Sequence, residues 1–218
     1  MEKLTFVPPW IPDNPLLAVV GQGPGPVEAR RSRPFVGPAG EQMRAWLRVV
    51  ELDPDEDVMW TNVYPYFRPE APNYKPTAKE GREGYDRVKE EIGTAPSIAC
   101  VLLVGGPASH TVFKGNMGQM HGRQGAIGIE SAAEEGLPSA QAQGNAPGQP
   151  SSVALSVSIP TFACYHPSFY IRQQSFKKRA EIEGQVMDVL ARVVEVIKGK
   201  APELELPEPE YVEEVVIT

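Results

Sequence analysis

At 218 residues with 41% hydrophobic side chains, the chain can bury the core of one α/β domain. No apolar run approaches the 18 or so residues of a membrane span, and residues 1–9 carry neither the basic head nor the apolar stretch of a secretory signal, so a cytoplasmic protein is expected. The net charge of −7 argues against nucleic-acid binding only until it is divided, because six glutamates in residues 201–218 stand without a base and leave the first 200 residues at −1.

Residues 16–20 (Leu-Leu-Ala-Val-Val) read as a buried strand that runs into the turn Gly21-Gln22-Gly23-Pro24-Gly25. Pro24, Pro26, Pro34 and Pro38 predict an irregular chain until a helix over 41–50, with Met43, Trp46, Leu47 and Val50 on one face. A second strand follows at 58–64. Thr77, with Glu80 three residues on, forms a capping box for a helix to about residue 92. A third strand at 98–104 ends in Gly105-Gly106, and 108–113 make a short helix. Residues 153–164 supply one or two more strands, and 175–197 a long helix with the core stripe Ile182, Val186, Val189, Leu190, Val193 and Ile197. Strand and helix alternate, which predicts a mostly parallel sheet covered on both faces, with ligands at the carboxyl ends of the strands. Residues 131–152, rich in Ala, Gln, Gly, Pro and Ser, are expected to be a flexible insertion in a domain spanning 1–200, and 201–218 an extended acidic tail with prolines. Cys100 and Cys164 lie in apolar runs and read as buried free thiols. Neither His110 nor His121 has a Cys, Asp or Glu at metal-binding spacing, so both read as packing or surface groups and no metal site is expected.

Gly21-x-Gly23-x-Gly25 invites comparison with a phosphate-cradling dinucleotide turn. That motif needs a helix starting at the turn and an acid about 20 residues on, where this chain has Ala45 or Trp46. A different constellation gathers at the strand ends. The first strand brings the glycine turn and Phe35, the second Thr61-Asn62, and the last His166-Pro167-Ser168. An amide can read a pyrimidine edge, a ring can stack on a base, and an imidazole can stabilise negative charge leaving on a carbonyl oxygen. Basic residues flank these segments. Arg30, Arg31, Arg33, Arg44 and Arg48 outnumber Glu28 and Glu41 in 24–48, and Arg172, Lys177, Lys178 and Arg179 stand without an acid in 164–179.

Together these motifs resemble the uracil-DNA glycosylase superfamily, most closely family 4. Gly21 to Gly25, Glu28 and Pro34-Phe35-Val36-Gly37-Pro38-Ala39-Gly40 match its first motif, Thr61-Asn62 its second, and His166-Pro167-Ser168 its last. The resemblance implies a three-layer α/β/α domain, its central sheet mostly parallel and four-stranded. It further implies a monomeric enzyme that flips uracil out of single- or double-stranded DNA and hydrolyses the N-glycosidic bond. By similarity Phe35 stacks on the base beside Gly23, Asn62 reads its edge, and His166 stabilises the departing anion. Residues 167–172 would form the minor-groove wedge, through Phe169, Tyr170 or Ile171, with Ser168 and Arg172 also meeting DNA. Arg172, Lys177 to Arg179 and Arg30 to Arg33 would hold flanking phosphates.

Two departures stand out. Family 4 carries a four-cysteine iron–sulfur cluster, whereas this chain has only two cysteines, so no cofactor is expected, with packing by Trp10, Trp60, Tyr64, Tyr66 and Phe67 in its place. The family's water-positioning glutamate is Gln22 here, and an amide cannot take a proton at neutral pH, which makes Glu28 the candidate base. Three functions are compatible with this pattern: uracil excision, binding of uracil or a modified base in DNA without efficient cleavage, and excision of another modified pyrimidine.

Overall fold

The computed structural model describes residues 4–71, 74, 76–131 and 155–199; most of the expected insertion and all of the tail lie outside them. In chain order the elements are β1 (Thr5–Phe6), β2 (Leu17–Gly21), α1 (Pro26–Arg31), α2 (Pro38–Val49), β3 (Val58–Asn62), β4 (Tyr66–Phe67), α3 (Ala78–Gly93), β5 (Cys100–Val104), α4 (Gly106–Ser109), α5 (Met117–Met120), β6 (Gln124–Ser131), β7 (Leu155–Cys164), α6 (Pro167–Ile171) and α7 (Phe176–Ile197). The main sheet has the order β3-β2-β5-β7-β6. Its first four strands are parallel, as the alternating pattern predicts, and β6 adds a fifth, antiparallel edge strand.

Every residue of β2, β3 and β5 is buried, which explains their unbroken apolar runs. Alternate side chains feed two cores. Leu17, Val19, Trp60, Leu102 and Phe162 meet α2 and α7 on one face, through Met43, Trp46, Leu47, Ile182, Val186 and Leu190. Ala18, Val20, Met59, Val101 and Leu103 meet α3 through Val88 and Ile92 on the other. Full burial of each large side chain contributes about 1.5–3 kcal/mol before ordering costs. The expected stripe of α7 is the buried one, with Val196 added and Ile197 only partly covered. The Thr77–Glu80 capping box is present, and Ser175 caps α7 by accepting from Lys178 N–H.

The expectation of an irregular chain to residue 41 is overturned. Pro26 and Pro38 each open a helix one residue after a glycine N-cap. Proline suits that position, because its missing N–H would have no partner in the first turn and its φ is already helical. The expected wedge segment is largely helical, Pro167–Ile171 forming α6 with Arg172 as its C-cap.

Candidate active site

Gly21, at the end of β2, is where three motifs meet. A Cβ there would lie 2.6 Å from Asn62 Oδ1 and 2.7 Å from Phe35 Cζ, so only glycine lets the amide and the ring approach from both sides. Phe35 adopts φ 54°, the left-handed region that a bulky side chain avoids. Its surroundings impose this. Arg44 Nε donates to Phe35 O at 3.1 Å, and the ring sits 4.9 Å from that of Trp60. A Cβ on Gly40 would fall 2.2 Å from the Phe35 carbonyl group, so the start of α2 packs directly on this residue.

Glu28 binds both flanking helices. One carboxylate oxygen accepts from Gly25 N–H at 3.0 Å and the other from Gly37 N–H at 2.6 Å, capping α1 and α2 at once. The dinucleotide comparison fails at the absent acid, as the sequence suggested, and for a further reason. A helix does start at the turn, but this carboxylate already occupies the backbone donor that would meet a phosphate.

Asn62 is buried at the end of β3, and α3 fixes its backbone. Arg87 donates to Asn62 O and pairs with Glu91, and Glu91 accepts from Thr61 Oγ1 at 2.6 Å. Across the pocket His166 caps α6. Ser168 N–H donates to His166 Nδ1 at 3.2 Å, and the Ser168 hydroxyl lies 2.7 Å from the same atom. Because an amide N–H only donates, Nδ1 is an acceptor and the neutral ring carries its proton on Nε2. Burial, reinforced by the nearby Arg172 charge and opposed by Glu28, pushes the imidazole down to about 4. The ring is neutral at physiological pH, and its Nε2–H has no partner among the described residues.

One cavity of about 650 Å³ is lined by Gln22, Gly23, Glu28, Phe35, Asn62 and His166. All six candidates from the glycine turn to the last motif are thus brought together, which no single motif could guarantee. A second cavity, of about 710 Å³, lies beyond Gln22 against Tyr85 and His110; its lining includes none of Phe35, Asn62 and His166, so the chemistry belongs to the first. Sequence reasoning missed Tyr74, which also lines the 650 Å³ cavity and accepts from Gln22 Nε2 at 3.0 Å through its carbonyl. A backbone acceptor reached across 52 positions leaves no mark in composition or spacing.

Several of the basic side chains expected at DNA have partners within the protein. Arg44 is 4% exposed and bonds Asp55 at 2.8 Å, while Arg33 bonds the same carboxylate at 2.5 Å and stacks over Trp10. Burial works to raise the Asp55 carboxyl, but these two guanidinium groups outweigh it and hold it below its ordinary value. Both arginines frame the Phe35 wall. Arg179 caps α6 by donating to Ile171 O and Gln173 O, and Lys178 pairs with Glu181. Arg30, Arg31, Arg48 and Arg172 remain exposed. Phe169 and Tyr170 are half-buried, in ring contact with Tyr165 and Trp46 respectively, whereas Ile171, 37% exposed, is the most open apolar side chain of this turn.

Cys100 and Cys164 do not fit an iron–sulfur cluster. Both are buried in sheet strands, where desolvation pushes each thiol up to about 12, and a cluster needs four thiolates. Among the described residues no group of three or more His, Cys, Asp or Glu is placed to hold a metal ion, and no helix is long and apolar enough to cross a membrane. The aromatic side chains expected in the cluster's place divide into two groups. Tyr64 and Tyr66 join Phe6 and Tyr74 in a ring network, whereas Trp60 belongs to the main core behind Phe35.

Comparison with known proteins agrees with this geometry. A DNA polymerase of Bacillus phage SP01 is 36% identical over 76 residues, which cover 35% of this chain and only 8% of that protein. The family model of the uracil DNA glycosylase superfamily matches residues 8–190, a span holding every residue of the cavity. The chain belongs to the uracil DNA glycosylase superfamily.

Proposed function

We propose that the protein excises uracil from DNA as a monomeric, family 4-like glycosylase without an iron–sulfur cluster. The observation that carries this reading is the tautomer of His166, a buried neutral imidazole whose Nδ1 is engaged and whose Nε2–H is free in a cavity shared with Asn62 and Phe35. The deoxyuridine leaves the base stack, at a cost of a few kcal/mol, and the cavity compensates through stacking and edge hydrogen bonds. Phe35 takes the base face and Asn62 the edge. As the C1′–N1 bond breaks, its electron pair moves into the ring, and the charge gathering on the carbonyl oxygen beside N1 accepts from His166 Nε2–H. Water then adds to C1′ and releases its proton to solvent.

Water activation is the weak half of this site. Gln22 has its amide N–H on Tyr74 O, and both oxygens of Glu28 already accept backbone N–H groups. Glu28 is therefore a clamp before it is a base. General-base help is typically worth about 10²–10⁴-fold, so cleavage that depends on charge stabilisation alone is slow rather than absent. The same engagement of Gln22 and Glu28 favours, as a second reading, a protein that binds uracil in DNA and cuts it inefficiently. Incubation with single- and double-stranded uracil oligonucleotides, followed by alkali, separates the two. Strand breaks at the uracil support excision; tight binding with no breaks at stoichiometric protein supports the binding module.

A further inference from the structure

His121 lies between α5 and β6, outside the cavity, yet it touches the segment that delivers His166. Its backbone N–H returns to Met117 O at 2.9 Å, and the N–H of Gly122 joins Ala163 O at 2.8 Å, which fixes this corner against the end of β7. The imidazole stacks on the Tyr165 ring, with centroids 3.9 Å apart and planes 13° from parallel. Tyr165 N–H donates to His121 Nδ1 at 3.1 Å. The proton of the neutral ring is therefore on Nε2, which donates to Gln185 O at 3.3 Å.

The place of this bond in the chain gives it leverage. The strand pairing of β7 ends at Cys164, and Tyr165 stands directly before His166. Its N–H lies past the last paired residue of the ladder and finds its acceptor in the His121 side chain. This bond and the ring stack join the Tyr165 approach to the His121 corner, beside the backbone bonds of Ala163 to Gly122 and Arg123.

We infer that neutral His121 is a positioning residue for His166, its Nδ1 fixing the Tyr165 backbone and so the angle at which Nε2–H of His166 meets the departing pyrimidine. This rests on the glycosylase reading above. A shift of about 1 Å at a reacting group can cost about 10²-fold in rate. Protonation of His121 places a hydrogen on Nδ1 and destroys the acceptor. The charged groups bordering the ring are Asp188 and Arg192, both on α7, with the Tyr165 phenol beside them. Burial outweighs the Gln185 hydrogen bond and the Asp188 charge and holds the imidazole below its ordinary value, so the acceptor is intact at neutral pH.

The test separates acceptor from packing. His121→Asn keeps an acceptor near the Nδ1 position and loses the ring, whereas His121→Phe keeps the ring and loses the acceptor. In single-turnover uracil release, His121→Phe should fall about 10- to 100-fold in rate with substrate affinity unchanged, and His121→Asn should stay within about threefold of wild type. The acid limb of the wild-type profile below pH 6.5 should shrink in His121→Asn to the fall that His166 protonation near pH 4 leaves. The opposite ranking of the two variants, or equal rates, overturns the inference. A wild type that releases no uracil overturns the glycosylase reading instead. In that case ¹⁵N NMR of the imidazoles decides the positioning claim: His166 signals altered in His121→Phe but not in His121→Asn uphold it, and unaltered signals in both overturn it.

Discussion

The His166 turn and the Gln22–Glu28 turn face the same cavity, but the first leaves a hydrogen-bond donor free while the second has its polar side chains already engaged. For the proposed excision, burial prepares the first at no cost, because a neutral imidazole is what a developing anion needs as a donor. The second is built as scaffold. Glu28 joins two helix starts and Gln22 holds Tyr74, so the wall that carries Phe35 is rigid and the nucleophile's side is poorly equipped. Rigidity near a site and reactivity within it draw here on the same few polar atoms.

The comparison can be broken most severely at His166. His166→Ala should lower single-turnover uracil release by about 10²–10³-fold, the usual cost of one lost anion-stabilising donor, with little change in DNA affinity. Asn62→Ala should cost about 10- to 100-fold in kcat/KM, through loss of buried edge hydrogen bonds, measured against uracil and abasic-site controls. Glu28→Gln turns an NH₂ toward one of two backbone N–H groups and leaves it unsatisfied. The expected loss is about 1–3 kcal/mol in denaturant unfolding, or about 2–4 °C of Tm per kcal/mol; unchanged stability with abolished activity would restore Glu28 as the base. The pH dependence sharpens the same contrast. Folded His166 binds its proton only near pH 4, whereas the unfolded chain binds it near 6.5, so its contribution to stability is complete above pH 6.5 and is lost as pH falls toward 4. Unfolding measured at pH 7.5 and 5 should lose part of its difference in His166→Gln. The smallest effect is expected from Gln22→Glu, which loses the donor to Tyr74 O and frees a carboxylate to face the cavity; uracil release should rise a few-fold, measured at single turnover.

The parallel strands were legible because each is a short apolar run, and Thr77–Glu80 because a capping box is local. The meeting of Phe35, Asn62 and His166 was legible only through three motifs taken together. The helix starts at Pro26 and Pro38 were not, since proline breaks a helix interior and favours its first turn, and the sequence alone does not say which applies. β6 did leave a sign: Ile127 and Ile129 are buried on either side of exposed Gly128, an alternation hidden by the glycines around it. Arg33 and Arg44 read as a basic surface because their partner, Asp55, lies in a separate loop, and charge counting cannot detect such pairing.

The claim that bond cleavage depends on the leaving-group side is tested most directly by comparing uracil with 5-fluorouracil in single-turnover excision by wild type and His166→Ala. Fluorine withdraws electrons and stabilises the departing anion by itself. If His166 performs that task, 5-fluorouracil should recover most of the rate that His166→Ala loses on uracil. An equal fractional loss on both bases would contradict the account.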